Sequence, residues 1–153
     1  FADKIDRPLA QLRLLHYPPQ AAMPLEEAVG CGTHTDYGCL TILNQDDNGG
    51  LIVRARSGDW IEVPPKPGAF VVNIGDQLAR WTNGRFAATP HRVINRSGRE
   101  RYSMPFFFDP NFDALVECLP SCLEEGETPK FDPVLAGEYL IGRYNDTFAY
   151  RKA

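Results

Sequence analysis

The stretch LTILNQDDNGGLIVRARSGDWIEVPPKPGAFVVNI, residues 40–74, shows the pattern that decides the fold. Apolar runs at 40–44, 51–54, 60–63 and 70–74 are each four or five residues long. The segments between them contain the pairs Asn-Gly, Ser-Gly and Pro-Gly, which favour tight turns. Short apolar runs at about ten-residue spacing are typical of an all-β sandwich or barrel.

The same pattern continues on both sides of this stretch. Further apolar runs lie at 12–17, 92–95, 101–108 and 114–118, so the chain contains eight predicted strands. Residues 132–152 differ, because their apolar side chains recur at helical spacing after Pro133. We therefore predict a mainly β protein, a double-stranded β-helix (jelly roll) with a C-terminal helix, forming one domain over 1–153.

Composition narrows the classes of partner. The 153 residues include 16 basic and 20 acidic side chains, and the net charge of −4 comes without any run of Lys or Arg. A nucleic-acid partner is therefore not expected. No apolar stretch approaches the roughly 18 to 20 residues that a transmembrane helix needs, so no membrane partner is expected either. The four cysteines form no CxxC pair, which favours free buried thiols and a reducing, cytoplasmic location.

A His-x-Asp tripeptide is the first candidate for chemistry. His34 and Asp36 are two positions apart, so on an extended chain their side chains leave the same face roughly 7 Å apart. With a distal histidine, His91, they would supply two imidazoles and one carboxylate, the facial set of non-haem Fe(II) oxygenases. The tripeptide alone also arises by chance, and a histidine on a strand is often only a packed, hydrogen-bonded side chain.

A second pattern follows His91. Residues 90–95 and 101–105 flank a turn at Gly98, which predicts a β-hairpin with Ser103 opposite Val93. Arg101 and Ser103 would then face the side that His91 faces. A guanidinium and a hydroxyl there could hold the far carboxylate of a small dicarboxylate that chelates a metal at its other end. The alternative for Arg101 is an ordinary surface salt bridge.

Together these residues resemble the signature of the iron and 2-oxoglutarate dependent dioxygenases: His-x-Asp, a distal His and Arg-x-Ser. Segments 12–18, 73–76 and 81–86 are more specifically similar to the isopenicillin N synthase-like branch of that superfamily. The resemblance implies Fe(II) ligands, 2-oxoglutarate-binding residues and a tyrosine that contacts the co-substrate or the substrate. In that order they fall on His34, Asp36 and His91, on Arg101 and Ser103, and on Tyr17.

The resemblance also implies an activity. Fe(II), 2-oxoglutarate and O2 would together oxidise a C–H bond of a small organic substrate, with succinate and CO2 as co-products. Members of the branch are usually about twice this length, and the chain begins at Phe1 rather than Met, so we expect it to be the C-terminal catalytic half.

Three alternatives stay open. The chain could be an Fe(II) oxidase of the isopenicillin N synthase type, which keeps the Arg-x-Ser pair without using 2-oxoglutarate. It could also be a cupin-like metal-binding jelly roll without oxidation chemistry. A third possibility is an inactive fragment, which an exposed apolar sheet face would indicate.

Overall fold

The protein is described here by a computed structural model, which covers residues 1–19 and 29–147. Within these ranges it contains eleven strands, two α-helices and two short 3-10 helices at Ala2–Lys4 and Pro120–Cys122. The strands are β1 Leu9–Leu12, β2 Leu15–Tyr17, β3 Val29–His34, β4 Leu40–Gln45, β5 Leu51–Arg54, β6 Trp60–Glu62, β7 Val71–Ile74, β8 His91–Ile94, β9 Arg101–Asp109, β10 Leu115–Val116 and β11 Val134–Leu135. The helices are α1 Asp76–Trp81 and α2 Ala136–Thr147.

Two antiparallel sheets form the body of the molecule. The larger sheet has the order β1-β9-β4-β7, with β2 also paired to β9, and the smaller has the order β3-β8-β5-β6. Side chains from both sheets line one internal cavity, which fixes them as the two walls of a sandwich. The fold is therefore the predicted jelly roll with a C-terminal helix.

The predicted strand at 12–17 is divided in the structure. β1 ends at Leu12 and β2 begins at Leu15, although Leu12 faces Phe106 and Leu15 faces Ser103, so the register along β9 is unbroken. Opposite the gap lies Pro105, whose carbonyl accepts a hydrogen bond from Arg13 N at 3.0 Å. Proline has no N–H to return this bond, which accounts for the interruption.

The predicted hairpin between residues 90–95 and 101–105 is wrong. β8 pairs with β3 and β5, whereas β9 pairs with β1, β2 and β4, so the two strands lie in different sheets. Ser103 consequently faces Leu15 and Gln45 rather than Val93. A Gly-containing turn links adjacent strands in sequence, but here it carries the chain from one wall of the sandwich to the other.

Three elements lie outside the predicted ones, and one prediction is only partly described. The unpredicted elements are β3, α1 and β11. The predicted helix at 132–152 is α2 over Ala136–Thr147, and its predicted last turn, 148–152, lies outside the described residues.

The apolar core sits beside the sandwich rather than in its centre. Trp81 of α1 packs with Cys39, Ala114, Val116 and Ala136, all of them buried. The four cysteines are free thiols, of which Cys39 is buried and the other three are half-buried. No helix within the described part of the chain is both long and apolar enough to cross a membrane.

Candidate metal centre

Two histidines meet at the end of the smaller sheet. His34 is the last residue of β3 and His91 is the first of β8, and these antiparallel strands place the two residues directly opposite each other. Their ring centroids are 4.3 Å apart. Residues at the ends of paired strands are held by the sheet on one side and open to the cavity on the other.

The backbone fixes the direction of both imidazole rings. His34 Nδ1 lies 2.8 Å from the carbonyl oxygen of Gly32, and His91 Nδ1 lies 3.0 Å from that of Thr89. A carbonyl oxygen can only accept, so each Nδ1 donates and each Nε2 is left with its lone pair. This is the tautomer that a metal-binding histidine requires.

Asp36 completes the cluster. Its Oδ1 lies 3.7 Å from His34 Nε2 and 3.6 Å from His91 Nε2. Candidate ligand atoms from the three side chains all lie within 4.8 Å of one another, so a single cation could contact all three. Two imidazole nitrogens and one carboxylate oxygen match the donor set of a 2-His-1-carboxylate iron site.

The other oxygen of Asp36 is held from the opposite sheet. Oδ2 accepts hydrogen bonds from Thr41 Oγ1 at 2.5 Å and from Asn73 Nδ2 at 2.7 Å. Thr41 and Asn73 are direct partners in the β4–β7 pairing, so they present their side chains on the same face. Both hydrogen bonds orient the carboxylate so that Oδ1 remains free for a metal.

The loop that carries Asp36 is fastened to the start of α1. The carbonyls of Asp36 and Gly38 accept hydrogen bonds from the N–H groups of Asp76 and Gln77, at 2.8 and 2.9 Å. These N–H groups lie in the first helical turn, where no carbonyl of the helix can satisfy them. The loop therefore caps the helix, and the helix in turn holds the backbone of Asp36 in place.

The same loop depends on Gly38. A Cβ atom at this position would lie 1.3 Å from Asp109 Oδ1, which occupies the space and accepts a hydrogen bond from Cys39 N at 3.1 Å. Only glycine fits against this buried carboxylate.

Protonation of His34 would compete with a metal. Hydrogen bonding to Cys31 and to the Gly32 carbonyl raises the pKa of His34 to about 9, against the burial that lowers it. A bound metal would have to displace this proton, because the ligand form of histidine is neutral.

Arg101 lies in the cavity formed by the two sheets. It is the first residue of β9, fully buried, and its Nε donates to the carbonyl of Gly49 while Nη2 donates to Gln45 Oε1 at 3.3 Å. Nη1 is buried without a hydrogen-bond partner among the described residues. An unsatisfied charged donor is costly to bury, so this geometry fits a site for an anionic ligand.

Ser103 and Tyr17 flank this guanidinium. Ser103 is buried two positions along β9 and lines the same cavity, and the Tyr17 ring lies 4.9 Å from the Arg101 guanidinium carbon. Burial raises the pKa of Tyr17, while Ser103 and Arg101 beside it act in the opposite direction. The phenol is therefore neutral at physiological pH.

The cavity brings all six predicted site residues together. Its volume is about 340 Å³, and His34, Asp36, His91, Arg101, Ser103 and Tyr17 all line it. Arg101 reaches it from the larger sheet and the two histidines from the smaller one, so the predicted proximity holds although the predicted hairpin does not.

Thr41 and Asn73 were not predicted as site residues. Asn73 lies beside Gly75, where the sequence suggests a turn residue, and Thr41 lies in an apolar run with no distinguishing neighbour. The signal that could have found them is the alternation of inward positions along β4 and β7, combined with the pairing of these strands.

A jelly roll that carries two histidines and one aspartate around a common point, with a buried arginine in the same cavity, defines the architecture of a non-haem iron oxygenase. Residues 8–110 match the family model of the 2OG-Fe(II) oxygenase superfamily. The chain belongs to this superfamily.

Known relatives agree with this placement. The chain is 46% identical over 150 residues to the 2-oxoglutarate-Fe(II) type oxidoreductase hxnY of Emericella nidulans, covering 94% of this chain and 43% of that protein. It is 47% identical over 140 residues to a homoarginine-6-hydroxylase of Oryza sativa subsp. japonica, covering 89% of this chain and 43% of that protein.

A solved structure shows the same fold. The full-length Neurospora crassa enzyme crystallised with alpha-KG and thymine has a TM-score of 0.90 and 35% identity, covering 97% of this chain and 47% of that one. The chain thus spans somewhat less than half the length of these relatives.

Proposed function

We propose that this chain carries the catalytic site of an Fe(II)- and 2-oxoglutarate-dependent dioxygenase that oxidises a C–H bond of a small organic substrate. One observation carries the proposal. The three candidate ligand side chains and the buried guanidinium of Arg101, which has an unpartnered Nη1, line a single cavity. A metal site alone would not need this second charged group.

Each group has a distinct role in this proposal. His34, Asp36 and His91 hold Fe(II) through the two Nε2 atoms and Oδ1, while the carbonyls of Gly32 and Thr89 keep the imidazoles in the metal-binding tautomer. When bound, Fe(II) supplies the activation of O2 that is coupled to the decarboxylation of 2-oxoglutarate.

The far carboxylate of 2-oxoglutarate pairs with Arg101. This contact satisfies Nη1 and neutralises a cation that the two sheets bury completely. Ser103 donates its hydroxyl to the same carboxylate, and the Tyr17 ring supports the guanidinium face. The co-substrate is thereby held at both ends.

The finer features of the proposal rest on the motifs. Segments 12–18, 73–76 and 81–86 support membership of the isopenicillin N synthase-like branch. The free thiols support a reducing, cytoplasmic location. The names of relatives, a homoarginine hydroxylase and an enzyme crystallised with thymine, support a small-molecule substrate.

The test is an anaerobic titration of the protein with Fe(II), with and without 2-oxoglutarate. Chelation of the metal by the keto acid produces a visible charge-transfer band, which we expect only when both are present. His91→Ala should bind Fe(II) at least about tenfold more weakly, since one of three ligands is lost. Arg101→Ala should bind Fe(II) normally and require more 2-oxoglutarate for the band.

The control is Arg96→Ala, which removes an exposed guanidinium near the same turn. It should behave as wild type. Unchanged Fe(II) affinity in His91→Ala would refute the ligand set. Normal Fe(II) binding without a band in the wild type would favour the oxidase that does not use 2-oxoglutarate.

A further inference from the structure

We propose that Arg13 is a specificity-determining residue that binds a carboxylate of the organic substrate at the outer end of the active-site cavity. The inference rests on the proposed function, because it assigns the substrate class of that same site. It is carried by the position of Arg13 on the strand, by the two cavities that meet beside it and by its lack of a partner within the described chain.

The strand geometry separates Arg13 from the co-substrate arginine. Leu15 faces Ser103 and Tyr17 faces Arg101 across the β2–β9 pairing, and all four side chains line the cavity. Arg13 is two positions before Leu15 and lines the same cavity. Four residues of extended chain from Tyr17 to Arg13 span about 13 Å, so the two guanidinium groups belong to opposite ends of the site.

Arg13 stands where the inner cavity meets a second, outer one. The outer cavity has a volume of about 400 Å³, and Arg13, His34 and Asp36 line both cavities. A molecule in the outer cavity would therefore contact Arg13 and lie against the metal ligands, on the side away from Arg101. That is the position that a substrate needs if a C–H bond is to approach the metal.

Helix α2 gives the outer cavity its further wall. Leu140, Tyr144 and Thr147 of this helix line it, together with Phe107 of β9. Apart from the threonine, these side chains offer apolar and aromatic surface. The lining thus suits a substrate with an apolar body and one charged group.

The charge of Arg13 is not used by the protein itself. Its side chain forms no hydrogen bond or ion pair with any residue in the described ranges 1–19 and 29–147. Two carboxylates line the outer cavity, but Asp36 is held by Thr41 and Asn73, and Asp109 accepts from Cys39 N. A planar guanidinium that is free in a ligand cavity is suited to bidentate binding of a carboxylate.

Binding of matched acids and amides tests this assignment. The probes are indole-3-acetate with indole-3-acetamide, and homoarginine with its primary amide, titrated calorimetrically into anaerobic protein loaded with Fe(II) and 2-oxoglutarate. We expect at least one acid to bind tighter than its amide. Arg13→Met, which keeps an apolar stem, should weaken that acid about tenfold or more and leave the amide unchanged, whereas Arg13→Lys should restore part of the affinity.

The charge-transfer band of the Fe(II)–2-oxoglutarate complex separates this inference from the proposed function. Arg13→Met should form the band as wild type does, because Arg13 is remote from the Arg101 end. A normal band, together with acids that bind no better than their amides or equally well to Arg13→Met, would overturn the inference alone. Absence of the band in the wild type would refute the proposed function and this inference with it.

Discussion

At the scale of single residues, the direction of the Asp36 carboxylate depends on two hydrogen bonds that come from the opposite sheet. Thr41 and Asn73 both donate to Oδ2, so Oδ1 points to the two histidines. A carboxylate free to rotate would lose entropy on binding a metal and would present either oxygen. The supporting side chains therefore contribute to metal affinity without touching the metal.

We expect Thr41→Val to lower the affinity for Fe(II) by about ten to a hundredfold, since it preserves the shape of the side chain and removes the hydroxyl. The thermal midpoint should change far less than the metal affinity. Anaerobic Fe(II) titration measures the effect, and Thr128→Val, at an exposed position, provides the control. Equal Fe(II) affinities for Thr41→Val and wild type would show that Asn73 alone orients the carboxylate.

A second residue-scale prediction concerns Asp109, which is buried against the loop that carries Asp36. Burial, with a smaller effect of the Asp36 carboxylate, raises the pKa of Asp109 from 3.8 to about 6. In this window the folded protein retains a proton that the unfolded chain releases, so stability decreases as the pH rises from about 4 to about 6. The difference corresponds to at most about 3 kcal/mol.

Asp109→Asn should remove this part of the pH dependence, because an amide does not titrate and its oxygen can still accept from Cys39 N. The measurement is urea unfolding between about pH 4 and pH 7 in the presence of a chelator. Asp113→Asn, at an exposed aspartate paired with Arg7, is the control. If wild type and Asp109→Asn changed in parallel over this window, the carboxylate would titrate elsewhere.

The candidate ligands could be predicted from sequence because each belongs to a short pattern of residue types, His-x-Asp or Arg-x-Ser. Thr41 and Asn73 have no such local pattern. They act together only because β4 pairs with β7 in one register, and that register joins residues 32 positions apart in the chain. Their role therefore follows from the sheet and not from their neighbours in sequence.

At the scale of elements, the loop between β3 and β4 packs against β9 through Gly38. Its missing Cβ leaves room for Asp109 Oδ1, and its carbonyl caps α1. We expect Gly38→Ala to lower the free energy of unfolding by about 2 kcal/mol or more, since the loop or the buried carboxylate must move. Because the loop also positions Asp36, Fe(II) affinity should fall as well.

Gly142→Ala is the matched control for this prediction. Gly142 lies in α2, where a Cβ would meet no atom within 4 Å, so alanine should raise the free energy of unfolding by about 0.5 to 1 kcal/mol. Urea unfolding of both variants gives the comparison. A Gly38→Ala protein as stable as wild type would mean that Asp109 leaves the loop without cost.

The elements that sequence patterns missed have physical reasons. β3 contains Gly30 and Gly32, which weaken any strand signal, and it is held by pairing with β8 rather than by its own propensity. The hairpin expected around Gly98 failed for the opposite reason. Its turn signal is real, but both flanking strands find better partners in separate sheets.

At the scale of the whole molecule, the two faces of the larger sheet differ sharply. The inner face lines the catalytic cavity, whereas the outer face exposes large apolar side chains on neighbouring strands. They are Leu12, Leu14, Phe70, Val72, Tyr102 and Met104, each at least 40% exposed. A contiguous apolar surface of this kind promotes association in water.

We expect the 153-residue chain, taken alone, to self-associate at micromolar concentrations through this outer face. Leu14→Lys combined with Val72→Lys should shift it towards the monomer, because two like charges on this face oppose its burial in a contact. Sedimentation velocity over a range of concentrations measures the effect. Ile61→Lys with Phe86→Lys, at exposed apolar positions outside the larger sheet, is the matched control and should leave association unchanged. Equal loss of association in both double variants would place the contact elsewhere. A wild-type chain that stays monomeric at all concentrations would show that the exposed face does not drive association.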